Sequence, residues 1–172
     1  PGAEAPANMI APLWDDLVQW STNLVYHLYD ADGHRYIVQW SRLFNINGWQ
    51  IENFELILYD PAYYPTPTGD GSIVFQYQEF HNCDWQQHYC TVGIENASRD
   101  DGVLYSYFGA YDAGAATIAS GRAIAFTPLE LTDPAAAPDR WISGGANEFD
   151  LNERDEEIPR RNKCPGEKCL SA

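Results

Sequence analysis

Apolar and polar residues alternate with a period of two through most of the first 127 positions. In Arg35–Ser41, Tyr36, Val38 and Trp40 fall on one face and Ile37, Gln39 and Ser41 on the other. In Glu52–Asp60, Phe54, Leu56 and Leu58 share a face, and Ser72–Gln78 sets Ile73, Phe75 and Tyr77 against Val74, Gln76 and Gln78. Successive side chains of a strand point to opposite faces, so this pattern predicts half-buried strands. Leu24–Tyr29, Cys90–Glu95, Val103–Phe108 and Arg122–Thr127 read the same way. Asp30-Ala-Asp-Gly33, Asn47-Gly48 and Asn96–Gly102 supply the turns. The loop Pro61–Gly71 holds three prolines and two glycines and cannot continue a strand. Only Leu17–Asn23 and Asp112–Ser120 suggest short helical turns.

Seven short strands without a βαβ rhythm predict an all-β fold, an antiparallel β-sandwich over residues 9–127. Its expected core is Trp14, Val38, Trp40, Phe54, Leu56, Leu58, Phe75, Val92, Ile94, Ile124 and Phe126. Residues 1–8 form a Pro/Ala-rich arm. Residues 128–172 read as an extended tail: a stiff Asp133–Pro138 linker, an acidic stretch and a basic Arg160-Arg161-Asn-Lys163 reversal. The tail has too few apolar residues for a core of its own. Trp141, Ile142, Phe149 and Leu151 are its natural anchors on the sandwich or on a neighbouring molecule.

Charge narrows the partners. The chain carries 25 acidic and 10 basic residues, a formal net charge of −15. The first 130 residues contain no lysine and only Arg35, Arg42, Arg99 and Arg122 as bases. An acidic body of this kind does not suit a phosphate backbone, so nucleic acid is not an expected partner. No apolar run approaches the length of a membrane span. The chain begins at Pro1 without a leader-like segment, and this reads as a mature or processed fragment.

Four cysteines form two close pairs, Cys83/Cys90 and Cys164/Cys169. Local pairing, with Pro165-Gly166 turning the second loop, predicts two small disulfides and hence an oxidising, extracellular setting. Three connectivities are open to four cysteines, and a four-sulfur metal site is a rival for which both spacings are long.

Other candidate chemistry is sparse. Asp30 and Asp32 resemble the start of a calcium loop, but the later acidic ligands are missing, so calcium is a minor expectation and a hairpin turn the main one. Asp15 and Asp16 could pair as carboxylates, but a turn or cap role for Asp16 is the better reading. The histidines His27, His34, His81 and His88 form no HExxH or HxH. No Gly-x-Ser-x-Gly elbow is present, which argues against a hydrolase. Asn96-Ala-Ser98 is a glycosylation sequon. Trp85, Tyr63 and Tyr64, in polar or proline-rich loops, are the aromatic side chains best placed to stack on a sugar or anchor a protein.

Several segments occur in a familiar order: Ile10-Ala-Pro-Leu-Trp-Asp-Asp16, Tyr36-Ile-Val-Gln-Trp40, Phe54-Glu-Leu-Ile-Leu-Tyr-Asp60, Ile73-Val-Phe-Gln-Tyr77, Thr91-Val-Gly-Ile-Glu-Asn96, Gly102-Val-Leu-Tyr-Ser-Tyr107 and Gly121-Arg-Ala-Ile-Ala-Phe-Thr127. Together they resemble a β-sandwich module of large secreted bacterial proteins, often beside peptidase or cell-surface repeat domains. More loosely they resemble the nidogen-type extracellular domain. The resemblance implies a non-catalytic structural or adhesive role at the cell surface, with copies of itself or a larger surface protein as partner. It supplies no catalytic residues. A carbohydrate-binding module and an inactive accessory fragment of a secreted peptidase are the alternative expectations.

Overall fold

A computed structural model describes residues 6–20, 24–46, 50–81 and 90–129. They form two antiparallel sheets packed face to face. One sheet orders β1 (Ile10–Trp14), β7 (Thr91–Glu95), β8 (Gly102–Tyr107) and β9 (Ala110–Tyr111) side by side. In the other, β10 (Arg122–Phe126), β6 (Ile73–Glu79), β5 (Ile51–Tyr59) and β4 (Arg35–Asn45) follow one another. The far edge of β4 pairs with β3 (Leu24–Asp30) along most of its length and with β2 (Leu17–Val18) at its end. The expected antiparallel sandwich is therefore the observed fold.

The core lies between the sheets. Phe54, Leu56, Phe75, Tyr77 and Ile124 from the larger sheet meet Leu13, Val92 and Tyr105 from the smaller, with Cys90 and Ile118 closing the cluster. Of the expected core, Val38, Trp40, Leu58, Ile94 and Phe126 are half-buried against it. The Tyr77 hydroxyl reaches across and donates to the Pro12 carbonyl at 2.7 Å, which ties β6 to β1.

Three local expectations are corrected. Trp14 is 45% exposed and not a core residue, because the β1–β7 register slips between Ala11 and Trp14. Three consecutive residues, Ala11, Pro12 and Leu13, are buried there, so alternation is lost before Trp14 and the ring turns outward. Leu17–Val18 is a strand and not a helical turn, since it satisfies its backbone against Phe44 and Asn45. That pairing exists because β4 continues beyond Ser41. A bulge between Trp40 and Leu43, with Arg42 at φ 57°, returns Leu43 to the buried side.

Residues 112–120, also expected to hold a helical turn, form no helix, only a turn in which the Ala115 amide donates to the Asp112 carbonyl at 3.0 Å. Their polar groups are claimed by tyrosines: the Tyr105 hydroxyl donates to the Ala116 carbonyl at 2.7 Å, and the Ile118 amide donates to the Tyr111 hydroxyl. Burial of Ile118 fixes the segment as an irregular cover on the core.

Cys83, Trp85, Cys164, Cys169 and the tail anchors Trp141, Ile142, Phe149 and Leu151 lie outside the described residues. Cys90, expected to join Cys83, is buried at the start of β7.

Candidate functional site

Antiparallel register brings the β3–β4 turn and the β5–β6 loop to the same end of the larger sheet, because Asp30 lies opposite Arg35 and Arg35 opposite Tyr59. Asp30 orders the turn. One carboxylate oxygen accepts the Gly33 amide at 3.0 Å and the other accepts Arg35 Nε at 2.8 Å. The Gly33 amide bond, and then the Arg35 guanidinium, hold the Asp30 carboxyl below its ordinary range. Both oxygens thus serve the hairpin. Among the described residues, no three His, Cys, Asp or Glu side chains gather where a metal ion could sit, and Asp32 stands on the turn beside Asp30.

The proline-rich loop closes on this turn. The Asp60 carbonyl accepts the amides of Tyr63 and Tyr64, and Asp60 itself donates its amide to the His34 carbonyl. The Tyr64 hydroxyl then donates to the Gly33 carbonyl at 3.0 Å. The ring of Tyr63 stacks on His34, centroids 3.2 Å apart, while Tyr64 meets Tyr59 edge to face. His34 adopts φ 47°, a conformation that non-glycine residues rarely take. Two pairs of residues singled out separately in the sequence, Asp30/Asp32 and Tyr63/Tyr64, therefore share one exposed end. The sequence did not point to His34 or Arg35 as members. Arg35 was legible in principle as the residue facing Asp30 across a four-residue turn.

The same end continues into an aromatic overhang. A row across the sheet reads Tyr29, Tyr36, Leu58, Ile73, Phe126. The last three pack against the core, but no β3 side chain does. Tyr29 is consequently 60% exposed, with Tyr36 and Val25 exposed on the same face. His27 stacks against Tyr36 at 5.8 Å.

Other polar contacts lie away from this end. Glu52 is fully buried, although a charge in that position needs partners, and its two oxygens accept the His81 amide at 3.2 and 3.0 Å. It shares the inward face of β5 with Phe54, so alternation alone would have flagged a buried acid. Nearby on the chain path, Asn45 donates its side-chain amide to Asp15 at 2.7 Å, which gives Asp15 a structural role at the β2–β4 pairing. An open hollow of about 450 Å³ lies between the sheet ends, with Met9, Ile10, Ile73, Ile94, Glu95 and Val103 among its walls. In the adjoining β7–β8 loop, the Asn96 side-chain amide donates to Asp100 and its oxygen is buried. The sequon asparagine thus faces its own loop.

In chemical terms the arrangement offers exposed tyrosines and a valine on one sheet, bordered by a turn whose Asp30–Arg35 ion pair is internally matched. No protein family, curated protein or solved structure gives a match to the chain.

Proposed function

We propose that this chain is a non-catalytic structural or adhesive module of an extracellular protein, acting by contact with protein. The partner is a further copy of the chain or a larger surface protein. The observation that carries this reading is the overhang of Val25, Tyr29 and Tyr36, apolar side chains held in the open by a sheet that extends past its covering layer. Large aromatic side chains on rigid backbone are the usual anchors of protein interfaces, because they bury much area at little entropic cost. The sequence resemblance to secreted bacterial and nidogen-type modules supports the same role.

Tyr63, Tyr64 and Trp85, the last outside the described residues, are the aromatic residues expected to serve a sugar. Here Tyr63 already contacts the turn through one ring face and Tyr64 through its hydroxyl. This favours protein contact over a sugar platform. The reading is tested by comparing the full chain with a Tyr29→Ser/Tyr36→Ser variant in sedimentation and in retention on an envelope fraction. Association that disappears in the variant supports the contact role. Association untouched by the variant removes the overhang from it, and turnover of peptide, ester or glycoside substrates would overturn the non-catalytic assignment.

A further inference from the structure

We infer that the free edge of β3 is a homotypic docking edge, at which two copies pair antiparallel about His27 and join their larger sheets into one. This rests on the contact-module reading and names its partner as a second copy of the chain.

An edge strand exposes a row of unpaired amides and carbonyls, and folded proteins normally blunt such edges with proline, lysine, bulges or inward charges. The β3 strand has none of these. Its seven residues, Leu24 to Asp30, run in unbroken register with β4, and no described strand pairs its other edge. It contains no lysine and no proline.

The strand is also complementary to itself. Antiparallel pairing centred on His27 uses all seven residues and sets Val25 against the partner copy's Tyr29, and Tyr29 against its Val25. Both side chains stand exposed on the same face. On the opposite face Tyr26 meets Leu28, twice over. Aromatic–aliphatic cross-strand pairs of this kind are the favourable unit of sheet pairing.

Charge is the obstacle for a chain of net charge −15, and the edge avoids it. The only acid on β3 is Asp30, at the end of the strand, and it is matched by Arg35 within its own copy. The seam between copies therefore carries no unbalanced charge, and distant repulsion is screened over about 8 Å at physiological salt.

Area sets the expected strength. Each aromatic side chain buries about 150–250 Å² when fully covered. Two partly exposed tyrosines, a valine, a leucine and the strand edge from each copy then give on the order of 1,000 Å² in total, the lower bound for a specific interface. The expected dimer is reversible, with a dissociation constant in roughly the micromolar range.

The test uses the full chain. Under mild oxidation, His27→Cys should form a covalent dimer several-fold above the parent, since residue 27 faces its own symmetry mate. Tyr29→Cys should not, because its mate lies four positions along the strand, about 13 Å away and beyond the roughly 7 Å limit for a disulfide. Sedimentation of the parent over roughly 1–200 µM should show a monomer–dimer equilibrium that Val25→Lys/Tyr29→Lys abolishes while leaving the β-sheet spectrum unchanged. Equal cross-linking by both cysteines, or a dimer indifferent to the lysines, overturns the β3 edge and leaves the contact role standing at another surface. A parent that is monomeric throughout overturns homotypic pairing. If β3 amides are then protected from exchange in the monomer, the edge is occupied from within the chain. If they exchange freely while the envelope fraction is still retained, the partner is a different protein.

Discussion

Replacing Tyr77 by phenylalanine removes one oxygen atom and leaves the packing in place. The ring is fully buried, near Phe54 at 6.3 Å and Phe80 at 5.4 Å between centroids, and these contacts survive the change. What is lost is the 2.7 Å hydrogen bond to the Pro12 carbonyl. That carbonyl sits where the β1–β7 register slips. A net hydrogen bond contributes about 1 kcal/mol, and a buried acceptor left unmade costs about 1–3 kcal/mol, so Tyr77→Phe should destabilise the chain by about 2 kcal/mol.

With a urea m-value of roughly 1–3 kcal/mol/M for small proteins, the unfolding midpoint should fall by about 1 M. Equilibrium urea unfolding followed by circular dichroism measures it, with Tyr105→Phe as a milder control, because Tyr105 reaches a less deeply buried carbonyl. A midpoint unchanged within error, at constant m-value, would refute the claim that this hydroxyl braces the two sheets. Burial also pushes the Tyr77 phenol well above its ordinary value, with neighbouring Cys90, Tyr105 and Tyr111 adding to the effect. One tyrosine should therefore stay unionised in an alkaline absorbance titration until the protein unfolds. The sign follows from linkage: stability is intact below the unfolded tyrosine pKa and falls as pH rises above it.

Three other substitutions probe separate parts of the fold. Gly93→Ala would drive its new methyl into the Val103 carbonyl, a backbone atom that cannot swing aside, and should cost about 1–3 kcal/mol in thermal or urea unfolding; a neutral result would mean that β7 and β8 can separate freely. Burial raises the Glu55 carboxyl above its ordinary 4.5, with Arg35 offsetting part of the shift. The folded state then holds this proton more tightly than the unfolded state, so stability declines as pH climbs from 4.5 through the folded value. Glu55→Gln should melt higher than the parent at neutral pH, with the difference vanishing in acid, and a pH-independent difference would contradict this account. Glu52→Ala orphans the His81 amide, so a loss of about 1–3 kcal/mol is expected in urea unfolding, and an unchanged midpoint would show that the carboxylate is dispensable.

Alternation made the sandwich legible wherever strands are regular. Phe54, Leu56, Phe75, Val92 and Ile124 fall in the core on the faces that the alternation assigns them, although β5 and β7 also bury neighbours on the other face, such as Ile57 and Thr91. The misreadings concentrate where an extra residue interrupts that period. The bulge at Arg42 hides the last third of β4, and with it β2, while the slip before Trp14 reverses that side chain. Bulges are set by pairing partners, which local sequence does not contain. Residues 112–120 resembled a helical turn because small residues abound there, but Tyr105 and Tyr111 decide their path from the neighbouring sheet. The candidate site was legible as separate parts. Gly33 of the Asp30 turn and Tyr64 meet only once β4 and β5 are in register, and the exposure of Tyr29 depends on how far the second sheet extends.

Topology also dictates an order of assembly. The strands from β3 to β6 pair with sequence neighbours, so that meander can form from local contacts as the chain emerges. Its covering layer cannot. Strand β1 must wait for β7, pairing Ile10 with Ile94 across most of the domain, and β10 returns to β6 only after β7, β8 and β9 have been laid down. Long loop closures of this kind slow folding. Until they occur, Phe54, Leu56 and Phe75 face water on a bare sheet, and transiently exposed apolar surface of this kind favours aggregation. The rate-limiting event in refolding should accordingly be closure of the smaller sheet: substitutions in β1 or β7 that loosen the Ile10–Ile94 pairing should slow refolding more than those in β3.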